Sequence, residues 1–371
     1  MKLQVIKNHV FSWLKKLLLY GGYFFLVFTL LGFVLLQVPA VQKKLVNRVT
    51  ERFSKVSGFE VTYKSIYLVW YDRLEILGLD VKDPHQNSMI GAGKLQVNFS
   101  LSTLLANNDV NIDGVTLEAG HVNLVYIPTS DSSRDLNINL FINEINKQFA
   151  AGSGNGGSAN VNIGEIVIRQ TEFKLNDPLK DSLKNAFDYN HILIQINEAE
   201  ANNFKVIGDT IEFNMNTLIA EEKNCQLPIH NLSTFFRLSQ SSMEFLGLNA
   251  RIGESKISDT LLFKFKSLTD LTDFNNRVNM KIMLRNTVVH PQDLVLFTPG
   301  TKPLPETLYL NGTITGKVSR FSYQNMDVVL GNTKIKGKLQ LDGLPSVNET
   351  FINLNVTNSD IDIKNLAFLF P

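Results

Sequence analysis

Six histidines, one cysteine and a short run of aspartates are the residues of this chain whose side chains could carry out a reaction. The histidines, His9, His85, His121, His191, His230 and His290, each stand alone in the sequence. Zinc hydrolysis asks for ligands at a fixed short spacing, such as HExxH, which sets two imidazoles on one helix face. No such spacing occurs, and surface or turn positions account for all six. Nothing around Cys225 suggests a nucleophile, so a buried or idle thiol is expected. Asp72, Asp80 and Asp83 form a small acidic group, which alternation and the adjacent Pro84 place on solvent-facing strand and turn positions. Trp70, Tyr71 and Asp72 read as a strand end packed by aromatics. The stretch GSGNGG, 152–157, fits GxGxxG in letters only: a nucleotide loop needs a strand before it and a helix after it, whereas a helical pattern precedes this one and a strand, Val161 to Ile168, follows. The chain is expected to be no enzyme, with no catalytic residue, no metal and no cofactor.

Composition narrows the partners as well. The 371 residues can hold two ordinary domains or one elongated one. A net charge of +1, with 19% charged residues, is far from the basic field that tracks phosphate backbones, so nucleic acid is not an expected partner. One cysteine excludes internal disulfides without fixing the compartment.

What could need positioning, then, is apolar surface. From Leu17 to Val41 there is no charged residue. A helix of that length spans a hydrocarbon core of about 30 Å with some tilt. Residues 1–38 are therefore read as a cytoplasmic stub and a membrane anchor, with Leu17, Tyr20, Phe24, Phe28, Leu31, Leu35 and Val38 along the span. Lys2, Lys7, Lys15 and Lys16 favour a cytoplasmic N-terminus, although Lys43, Lys44 and Arg48 follow closely on the other side. A cleaved signal peptide is the rival, with Val38, Pro39 and Ala40 at plausible cleavage positions. Its apolar region would be expected to run only about 7 to 15 residues.

Residues 39–58 read as an amphipathic helix. Val41, Leu45, Val46, Val49, Phe53 and Val56 recur at helical spacing among basic residues, and Gly58 suits a C-terminal cap. Such a helix could lie on anionic headgroups or plug the first end of a β body.

Beyond Gly58 the apolar period changes from 3.6 to 2. Runs such as Ile192, Ile194, Ile196 and Ile211, Phe213, Met215 alternate between turn signals such as Asp113-Gly114, Gly208-Asp209 and Asp342-Gly343. Short helices are expected at 101–106, 141–149 and 291–297. With no crossover helix for each strand pair, the sheet should be mainly antiparallel. The body divides into residues 59–149, a Gly/Ser loop at 150–160, and 161–371. Within the last part, NRVNMKIMLRNTVVHPQDLVLFTP from Asn276 aligns without gaps on NETFINLNVTNSDIDIKNLAFLFP from Asn348, sharing Asn286/Asn358 and Pro299/Pro371. The copies, about 243–299 and 321–371, are the signature of a body grown by stacking units. The first copy carries on into further strands, so the natural polypeptide is expected to continue past 371.

The order of features resembles the N-terminal region of the AsmA-like family, most closely its TamB branch. The resemblance rests on LLQVPAVQKKL, SGFEV, YLVWYDRLEILGLDVKDP, SMIGAGKLQVNFSLSTLL and NIDGVTLEAGHVNLVY, with LNGTITGKVS, GNTKIKGKLQL and DIKNLAFLFP further on. It implies a single-pass protein of the bacterial inner membrane with its body in the periplasm. The fold implied is mainly β with an N-terminal transmembrane helix, an elongated, curved, antiparallel-rich β-sheet trough. The expected partners are phospholipid acyl chains, the inner membrane and a TamA-like outer-membrane barrel. The expected role is phospholipid transport between the two membranes, or alternatively a translocation and assembly scaffold that aids outer-membrane protein insertion or secretion.

The residues reach the trough by a second route. Repeated half-apolar strands need a cover, and helices are few, so the strands either fold back as a sandwich or curl around apolar ligand. Candidate groove residues are Val97, Phe99, Leu101, Ile194, Ile211, Phe213, Ile282 and Leu284. Period 2 alone leaves open which face they share.

Overall fold

A computed structural model describes residues 57–69, 72–100, 110–128, 134–152, 160–299, 303–344 and 349–362, with positions 47, 51, 54 and 346 in addition. The anchor residues 17–38, Leu101 and the expected helix at 101–106 lie outside the described residues. Among those described, no helix is long and apolar enough to cross a membrane.

Among the described residues, seventeen strands follow one another in chain order. They are β1 (Glu60–Thr62), β2 (Ser65–Val69), β3 (Arg73–Lys82), β4 (Ser88–Asn98), β5 (Val110–Pro128), β6 (Arg134–Leu136), β7 (Val161–Asn176), β8 (His191–Ile207) and β9 (Thr210–Glu222). The second half holds β10 (Leu227–Leu238), β11 (Ser242–Ile252), β12 (Ser255–Lys264), β13 (Asn279–Val289), β14 (Leu308–Lys317), β15 (Arg320–Leu330), β16 (Thr333–Asp342) and β17 (Phe351–Asp360). Helices α1 (Asn137–Gly152), α2 (Phe274–Arg277) and α3 (Pro291–Phe297) interrupt them, and a 3-10 turn, Leu268–Asp273, precedes α2.

The strands form one mixed sheet. From β7 to β17 each strand pairs antiparallel with the next, because the two- to four-residue turns between most of them permit nothing else. The exception to antiparallel pairing is β5 beside β7. That parallel pair needs a crossover, and α1 supplies it. Expected at 141–149, the helix in fact runs from Asn137 to Gly152, into the segment read as a Gly/Ser loop. The helix at 291–297 falls where it is expected, with Pro291 in its first turn.

Two turn signals have a different meaning in the structure. Asp113-Gly114 lies inside β5, in the ladder to β7 rather than in a turn. Asp83 does sit in a turn, between β3 and β4, but it is fully buried rather than solvent-facing. Its carboxylate accepts hydrogen bonds from the His85 and Asn87 backbone at 2.9 and 3.0 Å and from the Asn137 side chain at 3.2 Å. One short side chain thus ties a hairpin to the first turn of α1, and the hydrogen bonds offset the cost of burying it.

The first end of the body has a small closed core. Phe59, Val81 and Met89 are buried there, and Ile138, Leu140 and Phe141 of α1 pack over them, with Phe141 edge-on to Phe59 at 5.1 Å. Asn47 and Ser54, both at helical positions, meet this end through polar groups. The Tyr63 hydroxyl donates to Asn47 at 2.5 Å, and the Val61 amide donates to Ser54 Oγ at 3.2 Å. Gly58 adopts φ +76, the left-handed conformation that ends a helix.

Candidate functional site

The registers decide which residues share a face. One row of cross-strand partners runs Val161, Val206, Ile211, Leu238, Met243, Phe263, Met280, Gly316, Phe321, Leu341 and Ile352, one residue from each strand from β7 to β17. No polar side chain interrupts it. Two residues along each strand runs a second row, Phe213, Phe236, Phe245, Leu261, Ile282, Ile314, Tyr323, Leu339 and Leu354. Its aromatic start is a ladder: ring centroids lie 5.9 Å apart for Phe204 and Phe213, 5.1 Å for Phe213 and Phe236, and 5.0 Å for Phe236 and Phe245.

The intervening row points to the opposite face and reads Asn162, Lys205, Glu212, Arg237, Glu244, Leu262, Lys281, Thr315, Ser322, Gln340 and Asn353. Arg237 bridges Glu212 at 3.0 Å and Glu244 at 4.0 Å on that side. The sheet is therefore amphipathic along its length. Eleven strands at about 4.8 Å spacing carry the first apolar row over roughly 50 Å, and nine of them carry the second.

No second sheet covers them. All the strands of the described residues belong to one hydrogen-bonded sheet. Most row residues stay partly accessible; Tyr323 is buried, and Leu354 and Ile352 on β17 are exposed. Two separate sheets, one form the alternation allowed, are not the arrangement found: the strands belong to one sheet.

The ladders are irregular in a regular way. Every pairing from β10–β11 to β16–β17 contains a register shift. Each such β-bulge bends its strand and increases the local twist. The bulges also keep the apolar residues together. In β13, Leu284 faces Gly312 and Thr287 faces Leu310, so residues three apart on the bulged strand match residues two apart on its neighbour.

Of the candidate groove residues, Ile211 lies in the first row and Phe213 and Ile282 in the second. Leu284 follows Ile282 by one alternation. Val97 aligns with Val115 and Ile166, and Ile194 with Phe173, in other rows nearer the first end. Phe99 falls past the end of β4, in the connection, where its amide donates to the Asp72 carbonyl at 2.7 Å.

The residues with reactive side chains are placed as follows. His121, isolated in the sequence, comes within 2.6 Å of Ser88 Oγ, and Ser88 donates to Asp80. The order is wrong for nucleophilic catalysis, because serine sits between histidine and aspartate instead of histidine between the other two. His191 is held at both ring nitrogens, by Asp188 at 2.9 Å and by the Asp177 carbonyl at 3.0 Å. The Cys225 thiol is pushed up to about 12, first by burial and then by the adjacent Glu222. No group of three or more potential ligands could hold a metal ion among the described residues. Adjacency across strands, invisible to spacing along the chain, is what brings Asp80, Ser88 and His121 together.

No protein-family model matches this chain, and comparison with characterised proteins gives no match.

Proposed function

We propose that this protein is a membrane-anchored conduit for phospholipid acyl chains, of the kind the AsmA and TamB resemblance implies. One observation carries the reading: one apolar row crosses eleven strands and a second crosses nine of them, on the same face of a single sheet. Each CH₂ kept out of water is worth about 0.8 kcal/mol, so a continuous apolar floor lets an acyl chain move without the full cost of solvation. The headgroup stays wet at the margin. Bulge-driven bending would curl the sheet into a trough around the rows, and the apolar segment 17–41 would tether its first end to the inner membrane, with the body in the periplasm.

The test is mass spectrometry of lipid retained by the purified chain, repeated with Phe213→Glu and Ile282→Glu together. The positions are partly exposed, so the sheet should survive both charges. Retained phospholipid should fall at least severalfold. Equal retention by a folded double variant would remove the basis of the proposal.

A second reading, a scaffold that pairs with client strands, has one observation in its favour. Among the described residues, strand β17 is bonded on one side only, and Phe351, Ile352, Leu354 and Val356 on it are 40 to 66% exposed. An exposed apolar edge invites another strand. Photocrosslinkers on β17 that capture proteins, combined with no retained lipid, would favour this reading over the first.

A further inference from the structure

We propose that the loop between β7 and β8, residues 177–190, and the end of α3 rest together on a phospholipid bilayer surface. The inference depends on the anchoring part of the reading above and is independent of the conduit. Its starting point is a cluster of exposed apolar tips: Leu179 is 73% exposed, Leu183 49%, Tyr189 64% and Phe297 40%. Phe187 joins them, edge-on to Tyr189 at 4.9 Å and stacked on Phe297 at 5.1 Å, while its amide donates to the Leu296 carbonyl at 2.8 Å.

The tips are displayed by a stiff support. The Asp188 carboxylate accepts from the Leu183 amide at 2.7 Å, the Asn190 amide at 2.9 Å and the His191 ring at 2.9 Å. Asp177 accepts from Arg134 and from the Leu179 amide at 3.1 Å. A loop so constrained loses little further entropy when its tips are covered, which favours docking over idle exposure.

What the tips would meet is indicated by their polar neighbours. Behind Leu183 lies a cleft of about 460 Å³ whose lining includes Lys174, Ser182, Lys184, Asn185 and Asn224. Its one carboxylate, Asp188, is already occupied by the bonds above. Lys174 and Lys184 have no ion-pair partner among the described residues, and nearby Lys180 acts on Asp177 through its charge. Apolar prongs in one loop with Lys180, Lys184 and amide donors, and with one further exposed carboxylate, Asp181, match the layering of a bilayer interface, acyl boundary beside headgroup phosphate.

The sheet register gives the same direction. Val61, Val81, Ile90, Val122 and Phe173 are successive cross-strand partners, so the loop after β7 leaves the same rim on which the body begins, just past Gly58. Four strand spacings, about 19 Å, separate the two places. A bilayer holding the segment before Gly58 would face that rim.

The experiment uses the full chain reconstituted into phosphatidylcholine vesicles containing phosphatidylglycerol and acyl-chain spin labels. A fluorophore is attached at Ser182→Cys in a Cys225→Ser background, with Gln340→Cys on the polar face as control. Quenching is expected at 182 and not at 340. Leu179→Asp with Leu183→Asp should weaken quenching about tenfold, and omission of phosphatidylglycerol should weaken it too. Flotation of the vesicles reports the anchor separately. A chain that floats without quenching at 182 overturns the inference and leaves the anchor standing; a chain that neither floats nor quenches overturns both. A photocrosslinker at Tyr189 should form lipid adducts, and capture of a protein in their place also overturns it.

Discussion

Asn286 and Asn358 occupy matching places in the two copies of the internal repeat and adopt the same left-handed backbone, φ +50 and +45. Each lies at a bulge, one where β13 slips against β14 and one where β17 slips against β16. Asparagine tolerates this conformation where a β-branched residue does not. Asn286→Gly should therefore unfold within about 1 kcal/mol of the natural chain, whereas Asn286→Val should lose about 1 to 2 kcal/mol or more. Urea denaturation followed by circular dichroism separates the two, and equal losses would show that the left-handed backbone is not what the position requires.

The strand that carries Asn358 explains a glycine. Gly337 in β16 has φ +154, and an added Cβ would lie 1.9 Å from the Asn355 carbonyl oxygen of β17. No side chain fits unless the two strands part. Gly337→Val is expected to release β17 from the edge, with amide exchange rising over 351–360 while β13 and β14 keep their protection. Unchanged protection of β17 would show that the close approach is not needed for pairing.

Cys225 offers a direct test of local electrostatics. Its thiol is pushed up to about 12 by burial and by Glu222, whose carboxylate also accepts from the Cys225 amide at 2.8 Å. Near pH 8.5 an ordinary cysteine is about half thiolate, so iodoacetamide should modify Cys225 at least a hundredfold more slowly than it modifies free cysteine. Glu222→Gln removes one of the causes and should speed the reaction. An alkylation rate like that of free cysteine would place the thiol in water.

Much of this architecture was legible in the sequence, and the illegible part has physical reasons. Alternation located the strands, and Pro291 the start of α3, because both are local. The repeat showed that Asn286 and Asn358 correspond, but a left-handed φ is not written in a residue name. The face shared by Ile211 and Phe213 could not be read from period 2, because every bulge shifts the phase by one residue: Tyr323 and Met326, three apart, face Leu339 and Gly337, two apart. Asp83 was read as exposed from its company with Pro84. Its burial depends on Asn137, 54 residues away, which no local pattern reveals. The parallel pairing of β5 with β7 was equally hidden, since α1 extends through glycine and alanine positions that composition assigns to a loop.

The loop that carries Leu179 and Leu183 should be sensitive to acid in a defined direction. Arg134, through its side-chain hydrogen bond, is the largest influence on Asp177 and outweighs burial, so this carboxyl titrates below its usual range. For Asp188 burial acts in the opposite sense, but the amides of Leu183 and Asn190 and the His191 ring prevail, and it too lies below the usual range. A carboxylate whose pKa is lower folded than unfolded contributes stability that is complete above the unfolded value, about 3.9. That contribution disappears as pH falls through the folded value. Amide exchange of residues 177–191, corrected for intrinsic rates, should thus stay constant from neutral pH down to about 5 and accelerate only in stronger acid. Arg134→Gln removes the main lowering influence on Asp177 while its burial remains, so the acceleration should begin at higher pH. If the onset is the same in both proteins, the Arg134 and Asp177 pair does not hold the loop.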